Sequence, residues 1–363
     1  MFNGRWIAIL LAVLSPAIAV GGLSGTASAS PRFDPAAGSA TQKVTINGAS
    51  VVMKVTKAGT TAKRTFMGSV GDVICVVITD PKMSDDGYDT VVLRGPDGVI
   101  DSNQSYGNGN PNGIGPVELT QKGTFSVDFK LDKKATGTGT LWVSAPVSVG
   151  TTSVNGSSES MDVTRVGQGV ERTFKGTVGE EVTEVVTGTS NSDDGYDNIS
   201  LLGPSGAVID TNEAYGSGNP NGIGPDELTQ NGTYTVLYQV DNTATGTATL
   251  WVSAPVSIGT VSVNGSSESM DVTRVGQGVE RTFNGTSGET ITATVSDIVN
   301  SDDGYDYVTL LGPTGSVIDT NVAYGNGNAN SLGPEKLPST GTYTVLYQVD
   351  NTATGTGKLA VST

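Results

Sequence analysis

Histidine is absent from all 363 residues. With it go the commonest general acid-base, the usual partner of Ser and Cys nucleophiles and a ligand of most zinc sites. Cysteine is nearly absent: Cys75 stands alone, so no intramolecular disulfide can form, and folding must rest on apolar cores or bound metal. Basic residues are scarce, 20 Lys+Arg against 36 Asp+Glu, and a formal net charge of −16 speaks against nucleic acid as a partner. Long apolar runs are missing too. The single one, Trp6–Val20, is too short for a comfortable bilayer span and has no neighbouring Cys to lipidate, so no transmembrane segment is expected in the mature chain.

What is present is turn-forming and strand-forming. The chain holds 50 Gly and 15 Pro with abundant Thr, Ser, Val and Asn, a composition suited to short strands separated by tight turns. At the front, Arg5 precedes the apolar run and Ala27-Ser28-Ala29 supplies an A-x-A cleavage site. Residues 1–29 therefore read as a signal peptide and residues 30–42 as a flexible leader, which predicts a secreted, extracellular protein.

Internal repetition dominates the rest. The string SDDGYD occurs at Ser84–Asp89, Ser192–Asp197 and Ser301–Asp306. Ser153–Phe174 recurs letter for letter at Ser262–Phe283, and Gly232–Thr247 at Gly341–Thr356, an offset of 109. The first copy has diverged and slips by one residue near Val99, but Met53, Phe66 and Trp142 still match Met161, Phe174 and Trp251. The modules are expected at 43–145, 146–254 and 255–363, joined by short linkers at Pro146 and at Ala254-Pro255. Charge is uneven among them: the Lys-bearing first copy differs electrostatically from two acidic ones, a face either solvated or set against an anionic surface.

Within each copy the period is two. Phe125, Val127, Phe129 and Leu131 alternate with polar residues, as do Tyr234, Val236, Tyr238 and Val240, the pattern of a strand with one face in a core. Further strands are predicted near 160–164, 170–176, 182–187, 199–202 and 249–253, punctuated by turns such as Gly203-Pro204-Ser205-Gly206. The expected fold is all-β: three tandem antiparallel β-sandwich, jelly-roll-like modules.

The layout also resembles the bacterial pre-peptidase C-terminal domain, an extracellular β-sandwich found in tandem on secreted proteins. The resemblance rests on Phe174, Gly176 and Gly179 in F-x-G-x-x-G and on Asp197 ahead of Ile199–Leu202. It continues through Gly203-Pro204-x-Gly206, Gly232-Thr233-Tyr234-Thr235-Val236 and Gly246. Tyr215–Pro225 departs from that pattern. The resemblance implies adhesion, carbohydrate or protein contact, or support of secretion, usually without catalysis.

Two recurrent segments, read as loops, carry the polar candidates. Three Asp in five residues furnish oxygens of the kind a hard cation takes, so Asp85, Asp86, Asp89, Asp193, Asp194, Asp197, Asp210, Asp302, Asp303, Asp306 and Asp319 are candidate calcium ligands. The competing reading is turn and Asx-cap formation, since the spacing matches no EF-hand. Tyr88, Tyr106, Tyr196, Tyr215, Tyr305 and Tyr324, with Asn219 and Asn221, are candidate ligand contacts, an aromatic platform beside directional polar groups. Trp142 and Trp251 are expected to pack between modules, because the third copy replaces them with Ala360. Cys75 is expected as a quiet, semi-buried thiol. Leu337-Pro338-Ser339-Thr340-Gly341 spells a sortase signal but precedes a core strand with no apolar tail behind it.

The functional expectation is a secreted, non-enzymatic binding or adhesive protein that contacts glycan, cell wall or protein, with calcium as its one candidate cofactor. The alternatives are a purely structural spacer and a carboxylate-based glycoside hydrolase, the last requiring a cleft that these compact modules do not announce.

Overall fold

The structure is a computed structural model that describes residues 43–363; the signal peptide and leader expected at 1–42 lie outside them. The described chain is all β. Its strands form six sheets around three separate hydrophobic cores.

The second repeat shows the plan. Its strands are β1 (Val147–Thr151), β2 (Glu159–Ser160), β3 (Gly169–Gly176), β4 (Glu181–Asn191) and β5 (Tyr196–Leu202), followed by β6 (Val208–Tyr215), β7 (Asn221–Glu227), β8 (Gly232–Val240) and β9 (Gly246–Ser253). One sheet runs β2-β9-β4-β7 and the other β6-β5-β8-β3-β1. Apart from β1, this order of eight strands in two four-stranded sheets is that of a jelly roll. The third repeat copies both orders, and the first copies them without a named counterpart of β1. The expectation of purely antiparallel sheets needs one amendment: β1 joins β3 in parallel, as does its counterpart in the third repeat.

Period-two sequence becomes core as expected of the strand rule. Tyr234, Val236, Tyr238 and Val240 of β8 are buried, with half-buried residues between them. Phe174 of β3 stacks on Tyr234 at 5.6 Å between ring centroids, and Phe66–Phe125 and Phe283–Tyr343 repeat the contact. Such pairs add about 0.5–1.5 kcal/mol beyond their buried area. Two strands, β6 and β7, lie where the sequence suggested loops. β6 is an edge strand exposed along most of its length, and β7 contains Gly222, Gly224 and Pro225, so neither carries the apolar alternation that marks a strand.

The repeats meet through the same contacts twice. Arg165 donates from Nε to Ser144 Oγ at 2.8 Å and from a terminal nitrogen to the Val143 carbonyl, while Ser144 donates to the Val166 carbonyl. Arg274, Ser253, Val252 and Val275 repeat the set. Gln168 donates to Asn47 and Gln277 to Asn155; Asn242 donates to the Gly115 carbonyl and Asn351 to that of Gly224. The guanidinium carbons of Arg165 and Arg274 lie 4.8 Å from the ring centroids of Trp142 and Trp251. Each Trp also donates from Nε1 to a threonine of its own repeat, Thr79 or Thr187. The Trp rings are thus half-buried platforms on which the next repeat sets an arginine.

Cys75 is buried at the first junction and not merely semi-buried. Its Sγ lies 3.3 Å from Asn242 Oδ1 of the second repeat, and burial pushes the thiol pKa up to about 12, which leaves no reactive thiolate near neutrality. Replacing Arg274 by Ala removes a cation–π contact and three donated hydrogen bonds, about 2–3 kcal/mol together. The expected result is faster proteolytic nicking at Ala254-Pro255, read by timed digestion of the full chain. Unchanged nicking would show that the junction does not depend on the arginine.

Candidate functional site

The residues singled out in the sequence gather at the turn between β4 and β5 and along the β5–β6 ladder. Asp193 Oδ1 accepts the Gly195 amide at 3.0 Å, and Asp194, at φ +53°, accepts the Ser217 amide at 2.7 Å. Left-handed backbone is a conformation Asp tolerates better than most side chains. A Cβ at Gly195 would sit 2.1 Å from the Asp241 carboxylate, so a larger residue there must displace the Oδ2 that accepts the Tyr196 amide. The third repeat copies these bonds with Asp302, Asp303 and Asp350. In the first, Asp86 accepts the Asn108 amide and Asp132 the Tyr88 amide, with Asp85 occupying the position of Asp193. Asp210 and Asp319, expected in loops, lie in edge strands and accept backbone amides of Thr211 and Gly224, and of Thr320 and Gly333.

The third Asp of each string behaves differently. Asp89, Asp197 and Asp306 begin the strand after the turn and are almost wholly buried. Each accepts a bond from a buried Asn of the opposite sheet: Asn112, Asn221 (2.9 Å) and Asn330 (2.7 Å). The same amide nitrogens reach the edge-strand carbonyls of Asn103, Asn212 and Asn321. The Asp–Asn pair is therefore a pin between the two sheets. Asn221, expected at a ligand surface, points into that pin, and Asn219 is spent on the Tyr215 carbonyl. The remaining carboxylate oxygens, Oδ2 of Asp89, Asp197 and Asp306, are buried without a hydrogen-bond partner. Desolvation raises all three pKa values, that of Asp89 to about 6, against the lowering effect of the Asn bond.

Among the described residues no three His, Cys, Asp or Glu side chains come together so as to hold a metal ion. The candidate calcium ligands are instead divided among turn amides, edge-strand amides and the buried pins.

The tyrosines do come together. Tyr196 and Tyr215 are direct cross-strand partners on β5 and β6, with ring centroids 4.9 Å apart and planes at 63°. Tyr88–Tyr106 and Tyr305–Tyr324 reproduce the distance with angles of 62° and 61°. All six rings are exposed, between 45% and 60%. Edge-to-face pairing of two short, stiff side chains yields a preformed aromatic ridge. Where the second and third repeats meet, Gly224 and Pro225 of the second and Tyr307, Thr309, Gln348, Asp350 and Asn351 of the third line a cavity of about 390 Å³.

One buried group escaped the sequence reading. Glu184 of β4 is fully buried between the core residues Val182 and Val186, and neither of its carboxylate oxygens has a hydrogen-bond partner. Burial, then Asp226 and Asp210, raises its pKa well above the usual carboxylate range. Its counterparts are Val76 and Ala293, so the difference was visible in the repeat alignment but not its burial.

No protein-family model and no curated protein sequence matches this chain. Among solved structures it is similar to the pre-peptidase C-terminal domain of a Bacillus anthracis collagenase, at 16% identity and a TM-score of 0.23, over 30% of this chain and 95% of that one. A periplasmic inhibitor of g-type lysozyme from Aeromonas hydrophila is similar at 18% identity and a TM-score of 0.20, over 29% and 99% of the two chains. The CUB1-EGF-CUB2 region of human MASP-1/3 is similar at 11% identity and a TM-score of 0.19, over 56% and 98%. Among the described residues no helix is long and apolar enough to cross a membrane.

Proposed function

We propose that this chain is a secreted, non-catalytic binding protein that contacts glycan or another cell-wall or protein surface through its three tyrosine ridges. The observation that carries the reading is the recurrence of one exposed, preformed aromatic pair in every repeat, at 4.9 Å each time. The six rings belong to none of the three cores and are 45–60% exposed, so each pair offers aromatic surface to solvent. Aromatic faces flanked by amide and carboxylate groups suit the apolar face and hydroxyls of a sugar ring. The absence of His and the use of the turn carboxylates on backbone amides give catalysis no machinery in this reading.

The test is a glycan array with the wild-type chain and a variant carrying Tyr196→Ala and Tyr215→Ala with the corresponding changes in the other repeats. Loss of every wild-type signal, at an unchanged melting temperature, is the expected result. Signals that survive the six substitutions would place the contact elsewhere. A wild-type chain that engages nothing would favour the spacer reading, for which the twice-repeated junction is the supporting observation.

A further inference from the structure

The face that the second and third repeats press against their predecessors is uncovered by any described module in the first. On the second and third repeats it is made by Arg165 and Arg274, Asn242 and Asn351, the neighbouring Thr243 and Thr352, and by Gln348, which lines the junction cavity and matches Gln239. The first repeat has Lys57 in place of the arginine, Lys133 and Lys134 in place of Asn-Thr, and Lys130 in place of the glutamine. Lys57, Lys133 and Lys134 are exposed and Lys130 is half-buried. Their loops adjoin, since a Cβ at Gly59 would lie 3.8 Å from the Lys133 carbonyl.

Four lysines have thus been placed on one docking face of a chain whose formal charge is −16. In the third repeat the corresponding face carries Arg274 together with Asp350, which lines the junction cavity, and Glu280, which feels Glu181 of the second repeat, so the lysines are not required by the fold. We infer that this face of the first repeat binds a linear anionic polysaccharide. The inference deepens the reading above, and rests on it for the choice of a glycan over other polyanions. Asp132, which precedes Lys133, holds the Tyr88 amide at 2.9 Å, so the lysine loop is tied to the Tyr88–Tyr106 ridge and presents cations beside a stacking surface. Tyr215 of the second repeat is flanked instead by Glu213, whose pKa is raised by desolvation and then by Asp241 and Asp197. The segment Lys57–Thr60 and the lysine pair offer no aromatic or large aliphatic side chain, so the face has charge but no anchor for a bilayer.

Surface lysines act through screened charge, so binding should fall steeply with salt. The test uses the mature full chain against immobilised polygalacturonate and dextran sulfate, with plain dextran, double-stranded DNA and phosphatidylglycerol vesicles alongside, at 50 and 300 mM salt. Three variants are compared: Lys57→Gln with Lys130→Gln, Lys133→Gln and Lys134→Gln; a charge-matched control with Lys122→Gln, Lys175→Gln, Lys336→Gln and Lys358→Gln; and Tyr88→Ala with Tyr106→Ala. The expected result is salt-sensitive retention on the two anionic glycans, weakened at least tenfold in the first variant and by less than twofold in the control. Equal loss in the control, no retention of the wild type on either glycan, or stronger retention on DNA or vesicles would overturn the inference. Loss in the tyrosine variant alone would overturn the lysine assignment and leave the ridge reading standing. Loss in the lysine variant alone would uphold the lysine face and count against the ridge of this repeat.

Discussion

Glu184→Val is expected to raise the melting temperature of the second repeat by about 5 °C or more at pH 8. The residue stands in the middle of β4 with its side chain in the core, both oxygens unpartnered, and the first repeat already places Val76 at the same point. A buried carboxyl left without hydrogen bonds costs about 1–3 kcal/mol and more when ionised, and valine there buries apolar surface instead. The pH dependence has a definite sign. A carboxyl whose folded pKa is raised contributes most to stability below its unfolded pKa and loses that contribution as pH rises through the folded value. The advantage of the valine variant should therefore shrink from pH 8 to pH 5. Thermal melting of the full chain at both values checks this, and a variant no more stable than wild type at pH 8 would mean that the carboxyl has a partner in solution.

Much of the architecture was legible because it is written as period two. Phe125 to Leu131 and Tyr234 to Val240 declare a buried face, and Gly-Pro and Asn-Pro clusters declare turns. β6 and β7 were not legible, since an edge strand exposed on both faces has no reason to alternate. The tyrosines could be named from sequence but not paired, because Tyr196 and Tyr215 become neighbours only once β6 is recognised as a strand in register with β5. The acidic string divides its roles in a way its density does not reveal. Two of its Asp serve turn amides and the third enters the fold, and only the opposite sheet, through Asn221, reveals which is which. The lysines of the first repeat were visible as composition, but their gathering on one face required the junction geometry of the other two repeats.

Asn221→Ala should be among the most damaging single substitutions in the second repeat. The amide of Asn221 donates to the Asp197 carboxylate, to the Asp197 carbonyl and to the Asn212 carbonyl, joining β7 of one sheet to β5 and β6 of the other. Removing it strands a buried carboxylate that already has one oxygen unpartnered. Leaving a buried carboxylate without its hydrogen-bond donor costs about 1–3 kcal/mol, and more while the group is charged. The Asn bond lowers the Asp197 pKa against the larger raising effect of desolvation, so its loss lets the pKa rise further. Protonation then relieves part of the damage, and the deficit of the variant relative to wild type should be smaller at pH 5 than at pH 8. Asp197→Asn in the same background removes the stranded charge and should recover part of the loss at pH 8. The same logic applies to Asp89, whose pKa of about 6 puts the crossover within reach of an ordinary titration. Its stabilising contribution is full below the unfolded carboxylate range and disappears as pH rises through 6. Chemical denaturation of Asn221→Ala and of the double variant at both pH values decides the matter: equal deficits at pH 5 and pH 8 would show that Asn221 acts by packing and not by holding a buried charge.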